Sequence, residues 1–394
     1  MNIYLDRIVQ DLGNLNLSIY WSGFQSVAYA LYDKNDVYLF NHPRMTKNQK
    51  YQILKWDKQF IGCTIILYDD YPTAIVNFEL YEDYASIYSI LVHELFHGYQ
   101  YVKGEKRFPN EIVGITYPLT KENVELRNKE RSSLYCALLE NNRMKKKQYL
   151  NTFIALREKR AAIMNNYLLY ENLVETIEGP AWYVELKAYS EKSPLDHNSV
   201  LEKYGQHLID KYNSTLDIRR SCYSSGLAMC VLLDEFSPGW KEHFLGNEET
   251  LYDLLKQLSK GFVKIDDVEI SPETEEVISA AKNNRRKAFE SFEQQKGIHL
   301  FIEGEITAKS FDPMNIVPFE ERLLHKNFIM VSMNKEDYLL QQPVITYGGL
   351  QNINKLHLLL KNTPIENGEY LTIEGVGIIK GRRFEKQKNT LVLG

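Results

Sequence analysis

The sequence predicts an α+β fold, with a mainly helical core between a small N-terminal β region and a C-terminal all-β accessory domain. Three observations carry this. Short β-branched and aromatic runs fill the first 82 residues, helical periodicity dominates from residue 83 to about 292, and after about residue 299 short apolar runs return, punctuated by Gly and Asn-Gly. The boundaries implied are 1–82, 83–298 and 299–394. A chain of 394 residues with 44% hydrophobic and 25% charged content can bury two or three cores, and no repeat of fixed period organises it.

Residues 26–32 and 36–40 read as strands because branched and aromatic side chains suit a pleated, half-buried surface. Residues 64–68 and 74–78 form a hairpin around the turn-forming Asp69, Asp70 and Pro72. The second of these runs is the expected sheet edge, open to pairing with an extended peptide. Residues 83–101 read as a helix: Asp83 can cap it, no proline interrupts it, and Ile87, Leu91 and Leu95 recur as one apolar stripe. Breaks are expected near 106–118, 193–198, 238–239 and 261–272. Residues 121–148 and 152–170 lack Gly and Pro and are expected to pair as a helical hairpin. Residues 170–188 read as a further helix, which Pro180 should kink or restart by removing a backbone hydrogen bond. An apolar helix follows at 221–234, and 281–295 is the last helical stretch before the β domain.

The chemistry concentrates at His93-Glu94-Leu95-Phe96-His97. A helical turn takes about 3.6 residues, so the two imidazoles project side by side, with Glu94 directed toward the edge of the same site. Such a pair can bind zinc through ring nitrogens while the glutamate reaches a water whose pKa the metal lowers to roughly 7. If the histidines were merely core residues, each buried ring would need its own hydrogen-bond partner in a segment too apolar for a surface helix.

Catalytic zinc needs a third protein ligand. A metzincin would continue with glycine at position 100 and histidine at 103, where this chain has Gln100 and Lys103. Downstream, Glu171, Glu175 and Glu178 share one face of a largely apolar helix, and buried carboxylates require partners, of which a metal is one.

The run His93-Glu94-Leu95-Phe96-His97-Gly98-Tyr99-Gln100 resembles the H-E-x-x-H-x-x-Q of some gluzincin-type zinc metallopeptidases. Glu178-Gly179-Pro180-Ala181-Trp182-Tyr183 resembles the E-G-x-A-x-Y pattern found in the same group. The resemblance implies a zincin-like catalytic core in which His93, His97 and Glu178 hold zinc and Glu94 is general base, then acid. Glu175, one turn before Glu178, would orient a histidine ligand or be the ligand itself. The Y-x-x-G spacing of Tyr223 and Gly226 is similar to the stretch that delivers a tyrosine hydroxyl to the oxyanion in aminopeptidase-like members. That makes Tyr223 the expected donor and Tyr183 the fallback. The strand that anchors a substrate amine in those members lacks its glutamate here, since residues 73–77 are Thr73, Ala74, Ile75, Val76 and Asn77. Accessory β domains in the group shape substrate access.

The expected function is therefore zinc-dependent hydrolysis of a peptide or protein substrate. A peptide-binding scaffold that has lost turnover is the alternative, as is a zinc hydrolase of non-peptide amides. A net charge of −5 offers no general attraction to nucleic acid, and the basic clusters at 145–147 and 381–388 are short. No run of about 18 apolar residues suggests a membrane span, and the first residues lack the basic-then-apolar pattern of a secretory signal, so a cytoplasmic protein is expected. Cys63, Cys136, Cys222 and Cys230 form no C-x-x-C pair and should be reduced, with Cys222 expected in the core.

Overall fold

The computed structural model describes residues 2–14, 16–46, 49–259, 263–265, 267–386 and 389–393. The chain divides into two compact units, Met1–Asn110 with Leu119–Ser271, and Glu111–Pro118 with Pro272–Gly394. It is 49% helix and 23% strand, with a helical core and a C-terminal β region, which is the segregation that defines an α+β protein. Among the described residues no helix is long and apolar enough to cross a membrane.

In the first unit, β1 (Ala28–Tyr32), β2 (Asp36–Phe40), β3 (Gln52–Lys55), β4 (Thr64–Tyr68) and β5 (Tyr71–Asn77) form one sheet of order β3-β2-β1-β5-β4. Neighbours are antiparallel except β1 and β5, which run parallel from Ala28 opposite Thr73 to Tyr32 opposite Asn77. Between β4 and β5, Asp69 and Asp70 have φ of 47° and 63°, the left-handed values a tight two-residue hairpin asks of both central residues. This topology corrects the expected edge. β5 is paired on both sides and buried from Pro72 to Val76, so the sheet edges are β3 and, within the hairpin, β4.

The helices are α1 (Asn2–Asn14), α2 (Tyr84–Val102), α3 (Glu111–Ile115), α4 (Lys121–Leu139), α5 (Arg143–Met164), α6 (Asn166–Lys192), α7 (His197–Ile209), α8 (Lys211–Leu216), α9 (Ile218–Phe236), α10 (Leu251–Lys256) and α11 (Pro272–Glu293), of which α3 and α11 belong to the second unit. α2 begins where expected: the Asp83 carboxylate accepts from the Ser86 N–H at 2.9 Å, satisfying one of the donors a helix start leaves open. Its stripe of Ile87, Leu91 and Leu95 is fully buried. Gly98, directly after His97, lets α2 press on its neighbours, because a Cβ there would lie 2.4 Å from Val27 Cγ2.

The helical hairpin forms, but it turns at 140–142 rather than at 149–151. Asn142 caps α5 by accepting from the N–H groups of Met144 and Lys145, and this local signal outweighs continuous periodicity. α6 then runs through Pro180 without restarting, as a helix of 27 residues. Packing of α6 against α2 and α9 supports the turn that lacks the proline hydrogen bond. At Gly179 the backbones of α6 and α9 touch: an added Cβ would lie 2.6 Å from Gly226 Cα.

The second unit carries β6 (Ile298–Phe311), β7 (Ile316–Phe319), β8 (Arg322–His325), β9 (Ile329–Met333), β10 (Glu336–Leu340), β11 (Val344–Gly349), β12 (Asn352–Leu360), β13 (Ile365–Asn367), β14 (Tyr370–Ile373), β15 (Gly377–Lys380), β16 (Arg383–Glu385) and β17 (Thr390–Val392). The main path is β10-β9-β6-β12-β11-β8-β7. β17 joins β6 in parallel, β16 pairs with β17, and β13-β14-β15 form a small separate sheet. Alternating inward residues such as Leu300, Ile302, Val331, Leu356 and Leu358 make its core.

Candidate metal centre

Three helices of the first unit meet at one buried point. α2 presents His93, Glu94 and His97, α6 presents Glu178 and Glu185, and α9 presents Arg219 and Tyr223. Nε2 of His93 and Nε2 of His97 are 3.0 Å apart. Glu178 Oε2 lies 3.2 Å from the second and 3.6 Å from the first. His93, Glu94 and Glu178 are buried and His97 is partly so.

The far sides of both rings are occupied. His93 Nδ1 donates to Glu185 Oε2 at 2.8 Å, and Glu185 Oε1 in turn accepts from the Tyr204 hydroxyl at 2.9 Å. His97 Nδ1 donates to Gln100 Oε1 at 2.7 Å, an amide oriented by its own donation from Nε2 to the Ile177 carbonyl at 2.9 Å. With the protons on Nδ1, each neutral imidazole turns its Nε2 lone pair inward, toward a carboxylate oxygen. Three electron-pair donors thus converge, and a cation is what such a set accommodates. Tetrahedral zinc ligands 2.0–2.1 Å from the metal would stand about 3.3–3.4 Å apart, and the three observed separations bracket that value. The residues present therefore fit a metal ion.

The electrostatics agree. Burial disfavours a charged His93, yet the hydrogen bonds to Glu178 and Glu185 outweigh it and raise the ring pKa to about 10, so without a metal the site captures a proton. Burial also works against the Glu178 charge, but His97, His93 and Arg219 hold its carboxyl well below the usual range. Glu94 moves the other way: burial pushes its pKa up, against the pull of the two histidines. Cys63, just before β4, and Tyr81 both feel the Glu94 charge, with their Sγ and hydroxyl oxygen 3.6 Å apart.

Tyr223 lies beside the two histidines and Glu178. Its hydroxyl accepts from Arg219 Nη1 at 2.5 Å, and its ring lies 6.3 Å from that of His93, nearly parallel. Burial and the Glu178 carboxylate push its pKa well above the ordinary tyrosine value, so it remains a protonated donor. Arg219 Nη2 donates to Glu178 Oε1 at 3.0 Å.

Tyr183 and the upstream glutamates lie elsewhere. The Tyr183 hydroxyl bonds Asp234 and accepts from Lys241, so it does not serve as the fallback donor. Glu175 is neither ligand nor orienting group: Arg157 grips it through two nitrogens at 2.5 and 2.8 Å, and Ser225 donates to it at 2.5 Å. Glu171 pairs with Arg127 and Arg160. The buried carboxylates that periodicity pointed out have arginines of α4 and α5 as partners, and Glu178 alone of the three faces the histidines. Cys222 is buried beside this ionic cluster, its thiol pushed up to about 12 by burial and by the charges of Glu171 and Glu175.

Sequence reasoning missed Glu185 and Arg219. Both had a spacing signal, since Glu185 stands two turns after Glu178 on α6 and Arg219 one turn before Tyr223 on α9. No family model, no curated protein and no solved structure matches this chain. What it does must be argued from the site itself.

Proposed function

We propose that this protein is a zinc-dependent peptidase of gluzincin type, with His93, His97 and Glu178 as metal ligands. The observation that carries the reading is the convergence of two Nε2 lone pairs and one carboxylate oxygen within 3.0–3.6 Å, each ring tautomer set from behind. Zinc bound there supplies a Lewis acid that polarises a carbonyl and makes a water acidic near neutral pH.

The chain's own residues do the rest. Glu94, buried beside the ligands with a raised pKa, takes the proton from water as the new C–O bond forms, then delivers it to the nitrogen as the C–N bond breaks. Tyr223 donates its O–H to the carbonyl oxygen as negative charge gathers on it. Glu185 and Gln100 keep both imidazoles aimed inward throughout.

A peptide substrate is favoured over a small amide by the sheet. α2 packs against β4, an open edge of the sheet, with Gly98 close to Ile65, so an extended chain adding to that edge would lie alongside the helix that carries Glu94. The test is metal analysis of purified protein combined with cleavage of a peptide library. One equivalent of zinc and chelator-sensitive cleavage restored by zinc are expected. Stoichiometric zinc without cleavage would replace this reading with that of a peptide-binding scaffold, and absence of zinc uptake would remove both.

A further inference from the structure

We infer that Arg219 is a positioning residue that confines Glu178 to a single metal-facing oxygen while holding the Tyr223 hydroxyl at the same site. The inference rests on the zinc reading above and assigns a role that reading does not require. A carboxylate has two oxygens and can bind a metal through one or both. Here Oε2 faces the histidines and Oε1 accepts from Arg219 Nη2 at 3.0 Å, so one oxygen is withheld. The same guanidinium reaches the Tyr223 hydroxyl through Nη1 at 2.5 Å.

Only a planar fork with donors at fixed separation serves both partners at once; a lysine ammonium is a point charge that satisfies one at a time. The geometry is braced from outside. Arg219 and Tyr223 stand one turn apart on α9, Glu178 adjoins Gly179 on α6, and the contact of Gly179 with Gly226 fixes the distance between the two helices. Arg219 is mostly buried, with 19% of its side chain exposed, so the contacts are shielded from competing water. Two consequences follow. A one-oxygen ligand keeps a coordination position for water, and a tyrosine accepting from a cation is a stronger donor toward developing charge.

The experiment uses cobalt(II) in the full-length protein, because the intensity of its visible bands falls as coordination rises from four to five or more. Wild type, Arg219→Gln, Arg219→Lys and Tyr223→Phe are compared for cobalt spectrum, for zinc affinity by competition with a chromophoric chelator, and for thermal unfolding without metal. Arg219→Gln should weaken the cobalt bands and lose about 10–100-fold in zinc affinity. Tyr223→Phe, which removes only a neutral hydrogen bond to the same Glu178 carboxylate, should leave the band intensity near wild type and cost less zinc affinity than Arg219→Gln. Arg219→Lys should regain part of the affinity without regaining the wild-type spectrum, and it carries the test if the glutamine variant does not fold. Wild-type spectra and affinities in both folded arginine variants would overturn the role of Arg219 and leave the zinc reading standing. A wild-type protein that takes up neither metal would overturn the zinc reading, and this inference with it.

Discussion

Gly179 and Gly226 meet backbone to backbone: a Cβ on Gly179 would lie 2.6 Å from Gly226 Cα, and one on Gly226 would lie 2.6 Å from both Gly179 Cα and Glu175 O. This contact explains both glycines of the two downstream motifs in one stroke. Gly179 follows the proposed ligand Glu178, and Gly226 follows Tyr223 by one turn, so this approach of α6 and α9 lies next to the groups they deliver. Replacing either glycine by alanine must separate the helices. Each change should cost about 1–3 kcal/mol in chemical denaturation and weaken metal binding. Gly13→Ala, whose added carbon has nothing within 4 Å, should do neither.

The buried ionic cluster gives an opposite pair of outcomes. Arg157 satisfies Glu175 and reaches Glu130 at 3.0 Å, all three fully buried. Arg157→Met should therefore destabilise by about 3–5 kcal/mol, through the buried Glu175 carboxylate left without its cation, while one zinc still binds. Glu178→Gln should abolish stoichiometric zinc with a far smaller effect on unfolding of the metal-free protein. Denaturation curves and metal analysis on the two variants check this together, and a reversed pattern would restore Glu175 as the ligand.

Much of this was legible in the sequence, and the rest failed for identifiable reasons. Asp83 and the His93–His97 pair follow from capping chemistry and local spacing, which a linear string records, whereas Glu178 is separated from Glu171 and Glu175 only by the resemblance its E-G-x-A-x-Y run carries. The edge strand does not: β5 is interior because of its parallel pairing with β1, more than forty positions upstream, although its unbroken apolar run from Ala74 to Val76 already favours a strand covered on both faces. Glu171 and Glu175 looked like candidates for a metal because their partners, Arg127, Arg157 and Arg160, come from helices whose arginines resemble solvated charge when read alone. Periodicity shows which face a carboxylate occupies; it does not show what stands opposite.

Proton linkage gives a further prediction with a definite sign. In the metal-free protein the His93 pKa is raised from 6.5 to about 10, so its contribution to stability is fully present below about pH 6.5 and is lost as pH rises through about 10. Zinc must displace that proton. Affinity should therefore climb with pH between 6 and 8, and calorimetry in buffers of different ionisation enthalpy should register proton release on binding. Affinity independent of pH, with no proton released, would contradict the site as described.

Tyr223→Phe removes the hydroxyl and nothing else at the centre. Peptide turnover should fall about 10²–10³-fold in kcat while zinc stoichiometry stays at one. Steady-state kinetics on a cleaved peptide checks it, and an unchanged kcat would leave Tyr223 a packing residue of α9.

The most direct measurement of the central claim is peptide hydrolysis by Glu94→Gln with its zinc content determined on the same sample. Glutamine preserves shape and cannot accept the proton, so turnover should drop by about 10²–10⁴-fold while one zinc remains bound by His93, His97 and Glu178. Full turnover in a zinc-loaded Glu94→Gln protein would contradict the assignment of Glu94 as the base.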